Sequence, residues 1–277
     1  MDHPSRTSAK SDPPPLARGF DQGPAIFAVP FRRPSRGKAQ SLLTPKERAA
    51  FAEISTRVTM RKGTQFFREG DAAAFVYIIA NGYVRTSRML PNGTGRVTSF
   101  RSAGDLLGLA AEGRYVETAQ AIATTSAYRV PLDALEEWLR QDGSLGLRLL
   151  CKLASIVVAQ QDHALILGRA DALGKLAMFL EMLEQRQHER GWDTEIIYLP
   201  MSRADIADYV GLSVEAVSRA LTALREQEMV SCRTTRQFRV TDRLRLKALI
   251  GRPAEPRRFG KTGTRGKSRA REGAHLT

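Results

Sequence analysis

Between residues 202 and 228 lie side chains whose types and spacing suit hydrogen bonding to the edges of bases. The stretch LPMSRADIADYVGLSVEAVSRALTALREQEMV spans 199–230. Within it Arg219 can donate two parallel bonds to neighbouring acceptors such as guanine O6 and N7, Glu215 can accept from a cytosine N4 amino group, and Ser218 can do either. Val214, Glu215, Ser218 and Arg219 fall at i, i+1, i+4 and i+5, which gathers them on one side of a helix. Just beyond, MVSCRTTRQFRVT (229–241) supplies Arg233, Arg236 and Arg239, guanidinium groups suited to phosphate oxygens. Ser202, Arg203, Ser213 and Thr222 complete the candidate phosphate contacts.

The local elements that must position these groups are marked by caps. Ser202 is the expected N-cap of one helix, with Asp205 three residues on, Ile206, Ala207 and Val210 as its buried face, and Gly211 ending it in a positive-φ turn. Ser213 then caps a second helix, whose Val217, Leu221 and Leu224 face a core and leave the base-reading set exposed. Residues 229–241 predict strand, turn and strand, a basic wing. This pattern fits a winged helix-turn-helix that enters a major groove; an ordinary helical hairpin would share its periodicity.

The rest of the chain divides by composition. Residues 1–40 carry seven Lys/Arg against three acids and include Pro13-Pro14-Pro15, so a disordered basic arm is expected. Residues 252–277, with eight bases against two acids, predict a disordered basic tail. The middle, 41–199, balances nineteen bases against eighteen acids, so much of the net +14 sits at the extremities, as suits a polyanion partner. Thr44, Pro45 and Glu47 mark a capped helix, after which short runs such as FVYIIA (75–80), YVRTSRML (83–90) and RVTSF (96–100) alternate with turns at Asn81-Gly82 and Pro91-Asn92-Gly93. That alternation predicts an antiparallel sandwich or barrel over 41–142. A long helix over 143–169 follows, with Leu145, Leu149, Leu153, Ile156, Val157, Gln160, Ala164 and Leu167 as an apolar stripe able to pair with a second copy. Residues 170–251 form the expected DNA-binding module, entered through a helix over 171–187 with Leu173, Leu176, Ala177, Leu180 and Leu183 inward.

Several function classes are disfavoured. The start MDHPSRTSAK lacks a signal-peptide core and no stretch reads as a membrane span, so a cytoplasmic protein without membrane contact is expected. Cys151 and Cys232 are far apart and form no metal-binding cluster, so no metal or cofactor is expected. Cys151, among Leu149, Leu150 and Leu153, reads as a buried apolar residue. Cys232, beside Arg233, is a candidate redox-sensitive thiol or a packed strand residue. No Ser/His/Asp set or phosphate-binding Gly-rich loop points to an enzyme.

The strings IADYVGLSVEAVSRAL and REGDAAAFVYIIANGYVRTSRMLPNGTGRVTSFRSAGDLLGL resemble the DNA-reading signature and the cyclic-nucleotide-type β-roll of the Crp/Fnr transcription regulators, over about residues 45–250. The resemblance implies an α+β chain with an N-terminal cyclic-nucleotide-binding-like antiparallel β-roll, a long dimerisation helix and a C-terminal winged helix-turn-helix. It also implies double-stranded DNA, RNA polymerase and a second copy as partners, and by analogy an activator. Val214, Glu215, Ser218 and Arg219 match the Glu-x-x-Ser-Arg variant of the Fnr and FixK branches, which implies an inverted repeat near TTGAT-N4-ATCAA, half-sites about one helical turn apart. The cAMP-responsive branch has Arg and Gly where Val214 and Ser218 stand.

Departures from the family refine the reading. Fnr oxygen sensors use four thiolates, and this chain has two cysteines. Leu109 stands where cyclic-nucleotide binders place a ribose-binding Glu, and Glu117 to Gln120, where an Arg-Ser pair is expected, hold no Arg; Arg114 is the nearest substitute. These features point to the FixK-like branch and to low-oxygen, respiratory or nitrogen-metabolism genes. The alternative is a ligand-gated regulator of the same fold that takes a cyclic nucleotide, or haem with His163 as an axial ligand.

Overall fold

A computed structural model of the chain describes residues 23–28, 40–190 and 195–251. Residues 1–22, 29–39 and 252–277, which hold nearly all of the expected basic arm and tail, lie outside the described residues. Within the expected arm, residues 23–28 depart from the expectation of disorder. Ala25, Ile26 and Ala28 are buried, and β1 (Phe27–Ala28) pairs antiparallel with β2 (Gln40–Ser41). The local run Ala25-Ile26-Phe27-Ala28 is apolar inside a polar, Pro-rich surrounding, and it closes the core formed by Phe51, Ile78 and Leu145.

The first module opens with α1 (Pro45–Ile54), which begins with the anticipated capping box: Thr44 accepts from the Glu47 N–H, and Glu47 accepts from the Thr44 N–H. Ten strands follow, β3 (Thr56–Met60), β4 (Gln65–Phe67), β5 (Phe75–Asn81), β6 (Tyr83–Met89), β7 (Gly95–Ser102), β8 (Leu106–Leu107), β9 (Ala110–Ala111), β10 (Arg114–Tyr115), β11 (Thr118–Ala121) and β12 (Thr125–Pro131). They build two four-stranded antiparallel sheets, ordered β4-β11-β6-β7 and β3-β12-β5-β8, with β9 and β10 as a separate ribbon. Pro91-Asn92-Gly93 turns the β6–β7 hairpin. Asn81-Gly82 instead passes the chain from one sheet to the other; Gly82 has φ +96°, and a Cβ there would stand 2.5 Å from the Thr124 carbonyl oxygen. Between the sheets Phe67 stacks on Tyr115 at 4.0 Å and on Tyr77 at 5.8 Å, filling the interior with aromatic rings.

After α2 (Leu132–Gln141), α3 (Gly143–Gly168) runs for 26 residues. The stripe the sequence suggested is divided: Leu153, Val157, Gln160, Ala164 and Leu167 are exposed, while its other members turn to the chain's own core. Leu145 and Ile156 are buried against their own chain and Leu149 packs against the same core, whereas Leu147, Leu150, Val157, Val158 and Leu165 point outward. Two opposite faces are therefore apolar, which makes α3 apolar and long enough to cross a membrane by length and composition, contrary to the reading that no such stretch exists. One of those faces is committed to protein: Lys152, on the inner face, pairs with Asp105 at 2.8 Å and donates to the Phe27 carbonyl at 2.8 Å.

The second module begins at α4 (Ala172–Glu189), whose Leu176, Ala177, Phe179, Leu180 and Leu183 share one core with Phe100 of β7 and with Tyr209, Val217 and Leu224. Then come β13 (Ile197–Tyr198), α5 (Arg203–Val210), α6 (Val214–Glu226), β14 (Val230–Thr234), β15 (Gln237–Val240) and α7 (Arg243–Leu249), with the strands ordered β13-β15-β14.

Candidate nucleic-acid interface

Local chemistry sets the two helices of the interface. The Ser202 hydroxyl accepts from the Asp205 N–H at 3.1 Å while Asp205 accepts from the Ser202 N–H at 2.9 Å. Gly211 adopts the left-handed conformation, φ 66° and ψ 50°, and Ser213 caps α6 by accepting from the Ala216 N–H at 3.1 Å. Val217, Ala220, Leu221 and Leu224 bury one side of α6, which leaves Val214, Glu215, Ser218, Arg219 and Thr222 exposed together on the other. Glu215 sits in the first turn, where its own backbone N–H, the Ser213 hydroxyl and Arg219 hold its carboxyl below the usual range. It is thus an acceptor at neutral pH, the state a cytosine amino group requires. The Ser218 hydroxyl bonds back to the Val214 carbonyl at 2.9 Å.

The candidate phosphate contacts separate into two groups. Arg233 and Arg236 lie exposed at the β14–β15 turn with no ion pair among the described residues. Arg203 lies over the Phe238 ring and donates to the Thr235 carbonyl at 3.0 Å, holding the wing against α5, and Arg239 pairs with Glu195. The Ser202 hydroxyl donates to the Asp205 carboxylate at 2.6 Å. Cys232 is exposed on β14, its thiol donating to the Thr234 carbonyl at 2.7 Å, so it is not the packed strand residue of the alternative reading; Cys151 is buried.

Two ion pairs absent from the sequence reading dock the first helix on the β-roll. Asp208 of α5 accepts from Arg96 at 2.9 Å and from the Val97 N–H at 2.6 Å, and Asp205 pairs with Arg85. Burial alone would raise the Asp205 carboxyl, but Ser202 and Arg85 outweigh it and hold it low. His163 joins α3 to α5. Its ring stacks on Tyr209 at 3.8 Å and its Nε2 lies 2.7 Å from the Tyr209 carbonyl, so Nε2 is the protonated nitrogen and is not presented to a haem iron. Burial pushes the His163 pKa down, with the Tyr209 carbonyl opposing.

In the β-roll, Leu109 packs against the core, Glu117 accepts from the Thr98 hydroxyl at 3.2 Å, and Arg114 is exposed and donates to the Gly70 carbonyl at 2.7 Å. Among the described residues no group of three or more His, Cys, Asp or Glu is placed to hold a metal ion.

A β-roll, a long helix with an outward apolar face and a winged helix-turn-helix with an exposed polar face define a class, the DNA-binding transcription regulators built on a cyclic-nucleotide-binding-type domain. Residues 57–142 match the cyclic nucleotide-binding domain and residues 174–249 the Crp-like helix-turn-helix domain. The chain is 30% identical over 198 residues to the transcriptional activator protein Anr of Pseudomonas protegens, covering 71% of this chain and 81% of that protein. It is 29% identical over 180 residues to the fumarate and nitrate reduction regulatory protein of Escherichia coli K12, covering 64% and 72%. FixK2 from Bradyrhizobium japonicum superposes with a TM-score of 0.66 at 32% identity, covering 74% of this chain and 100% of that one. The chain belongs to the Crp/Fnr family: it is a DNA-binding transcription regulator, not an enzyme.

Proposed function

We propose that the chain acts in the cytoplasm as a FixK-like homodimeric activator that reads an inverted repeat near TTGAT-N4-ATCAA. Its targets are low-oxygen, respiratory or nitrogen-metabolism genes, where it contacts RNA polymerase. The observation that carries this reading is the exposed face of α6, on which Glu215 and Arg219 stand beside Val214 and Ser218 while the opposite face is fully engaged in the core. Arg219 takes guanine, Glu215 takes cytosine, and Arg233 and Arg236 take phosphates, with Ser202, Arg203, Ser213, Thr222 and Arg239 as the remaining backbone contacts.

A gel-shift with the inverted repeat and a scrambled duplex tests the reading. Arg219→Ala should weaken specific binding by about 1–3 kcal/mol, roughly 5- to 150-fold, and relax discrimination at one base pair per half-site. Equal affinity of parent and variant for matched and mismatched duplexes would remove Arg219 from the role.

Cys232 offers a second measurement. Oxidation of an exposed thiol to a sulfenic acid adds a polar group to the wing beside Arg233. Peroxide should weaken DNA binding by the parent and leave Cys232→Ser unaffected. Matching losses in both proteins would place the sensitivity elsewhere.

A further inference from the structure

Where the β-roll, α3 and α4 meet, positive charge exceeds negative in a largely buried space. A cavity of about 90 Å³ is lined by Arg101 of β7, Lys152 of α3, Arg186 of α4 and Arg190 just after it, with Asp105 and Glu189 as the acids that line it among the described residues. Asp105 already serves two of the cations, Lys152 at 2.8 Å and Arg190 at 2.6 Å, and its second oxygen also accepts from the Ser102 N–H. Glu189 accepts from the Gln185 amide at 3.0 Å. Arg101 is buried, and its Nε has no hydrogen-bond partner. Arg186 reaches only the Phe100 carbonyl, at 3.5 Å. Burial pushes the Arg186 pKa down and the charges of Arg190 and Arg101 push the same way, with Tyr209 and Asp105 opposing. Unpaired buried cations cost several kcal/mol, so an anion that completes such a cluster stabilises it.

From this geometry we infer that the cavity is a binding site for a phosphate group, separate from the β-roll position where the family resemblance would put a cyclic nucleotide. Guanidinium forks from β7, from Arg186 of α4 and from Arg190 just after it, with an ammonium from α3, approach from different elements, the arrangement that meets several edges of a tetrahedral oxyanion. The volume suits one such group and is too small for a whole nucleotide, whose pockets run to roughly 300 Å³ or more. A neighbouring cleft of about 320 Å³ between α3 and α4 shares Ser155, Ala159, Arg186 and Glu189 with the cavity, so the body of a phosphorylated metabolite has room beyond its charged end. Occupancy would tie the β-roll and α3 to the DNA-binding module. That regulatory consequence rests on the DNA-reading function proposed above; the binding itself does not.

The test is thermal denaturation of the full chain with and without 10 mM inorganic phosphate at constant ionic strength, comparing the parent with Arg101→Met. Phosphate stabilises proteins in general through exclusion, and basic tails attract it, so the reading is the difference between the two proteins. The parent should gain at least about 3 °C more in Tm than the variant, and Arg101→Lys, which keeps the charge, should fall between them. Arg101→Met removes an unpaired buried charge and should fold at least as well as the parent. Equal phosphate gains in parent and Arg101→Met would overturn the site. A gel-shift with the inverted repeat should show phosphate changing the affinity of the parent and not of the variant. A Tm difference without that change keeps the site and removes its regulatory role, and a parent that fails to bind the repeat counts against the DNA reading alone.

Discussion

Replacing Asp105 with Ala should lower the melting temperature by on the order of 10 °C, through a loss of about 3–5 kcal/mol. Asp105 is 5% exposed and is the carboxylate through which Lys152 and Arg190 are both neutralised; removing it strands two buried cations beside Arg101. Burial alone would push the Asp105 carboxyl up, but Arg190, Lys152 and Arg101 outweigh it and hold the group far below the usual carboxylate range. A depressed folded-state pKa gives stability that is complete above the unfolded value, near 4, and is lost progressively as pH falls from there through the much lower folded-state value. Asp105→Asn keeps the shape and an acceptor for the Ser102 N–H while deleting the charge, so it separates electrostatics from packing. Circular dichroism melts at pH 7 should place Asp105→Asn close to Asp105→Ala, and the gap between parent and Asp105→Asn should narrow steadily as pH falls below 4. A parent-like Tm for Asp105→Asn at pH 7 would mean that the ion cluster contributes little.

The elements of the interface could be read from the sequence because their determinants are local. Ser202 with Asp205, Gly211 and Ser213 lie within a dozen residues of one another, and each satisfies a backbone group of its own helix. The same holds for Thr44 and Glu47, and for the short apolar strand runs set between turns. What could not be read depends on partners far along the chain. Arg96 and Asp208 are 112 residues apart, and Arg85 and Asp205 are 120 apart, so no spacing rule reveals that α5 rests on the β-roll. The candidate phosphate-binding arginines look alike in sequence, yet Arg239 finds Glu195 and Arg203 finds Phe238, which leaves Arg233 and Arg236 as the exposed pair with no ion pair among the described residues. The apolar segment 25–28 was masked by its Pro-rich surroundings.

The long helix shows the limit of periodicity. A helix with one apolar face announces where it packs, but α3 has two, and the sequence cannot say which belongs to its own chain. Leu145, Ile156, His163 and Ile166 take the inner face, so the outer residues Leu147, Leu150, Val157, Val158 and Leu165 remain in water in a single chain. Exposed apolar surface continuous along a helix of 26 residues is more than scattered surface leucines produce, and a two-fold pairing of α3 with its own copy would cover it.

That pairing yields the other large expected effect. In a two-fold interface the side chains near the axis meet their own copies, so an introduced carboxylate is opposed by an identical one and both lose water. Leu150→Glu combined with Val157→Glu should therefore give a monomer by analytical ultracentrifugation at micromolar concentration. Both positions are more than half exposed in the single chain, so its far-ultraviolet circular dichroism should be unchanged, whereas Ile156→Glu, on the buried face, should unfold the protein. Loss of the second DNA-binding module converts a two-point attachment into one, and affinity for the full inverted repeat should fall by about 10²- to 10⁴-fold, while affinity for an isolated half-site changes little. A Leu150→Glu/Val157→Glu protein that stays dimeric and binds the full repeat as the parent does would show that the outer face of α3 is not the dimer seam, and that the two recognition helices are held apart by some other contact.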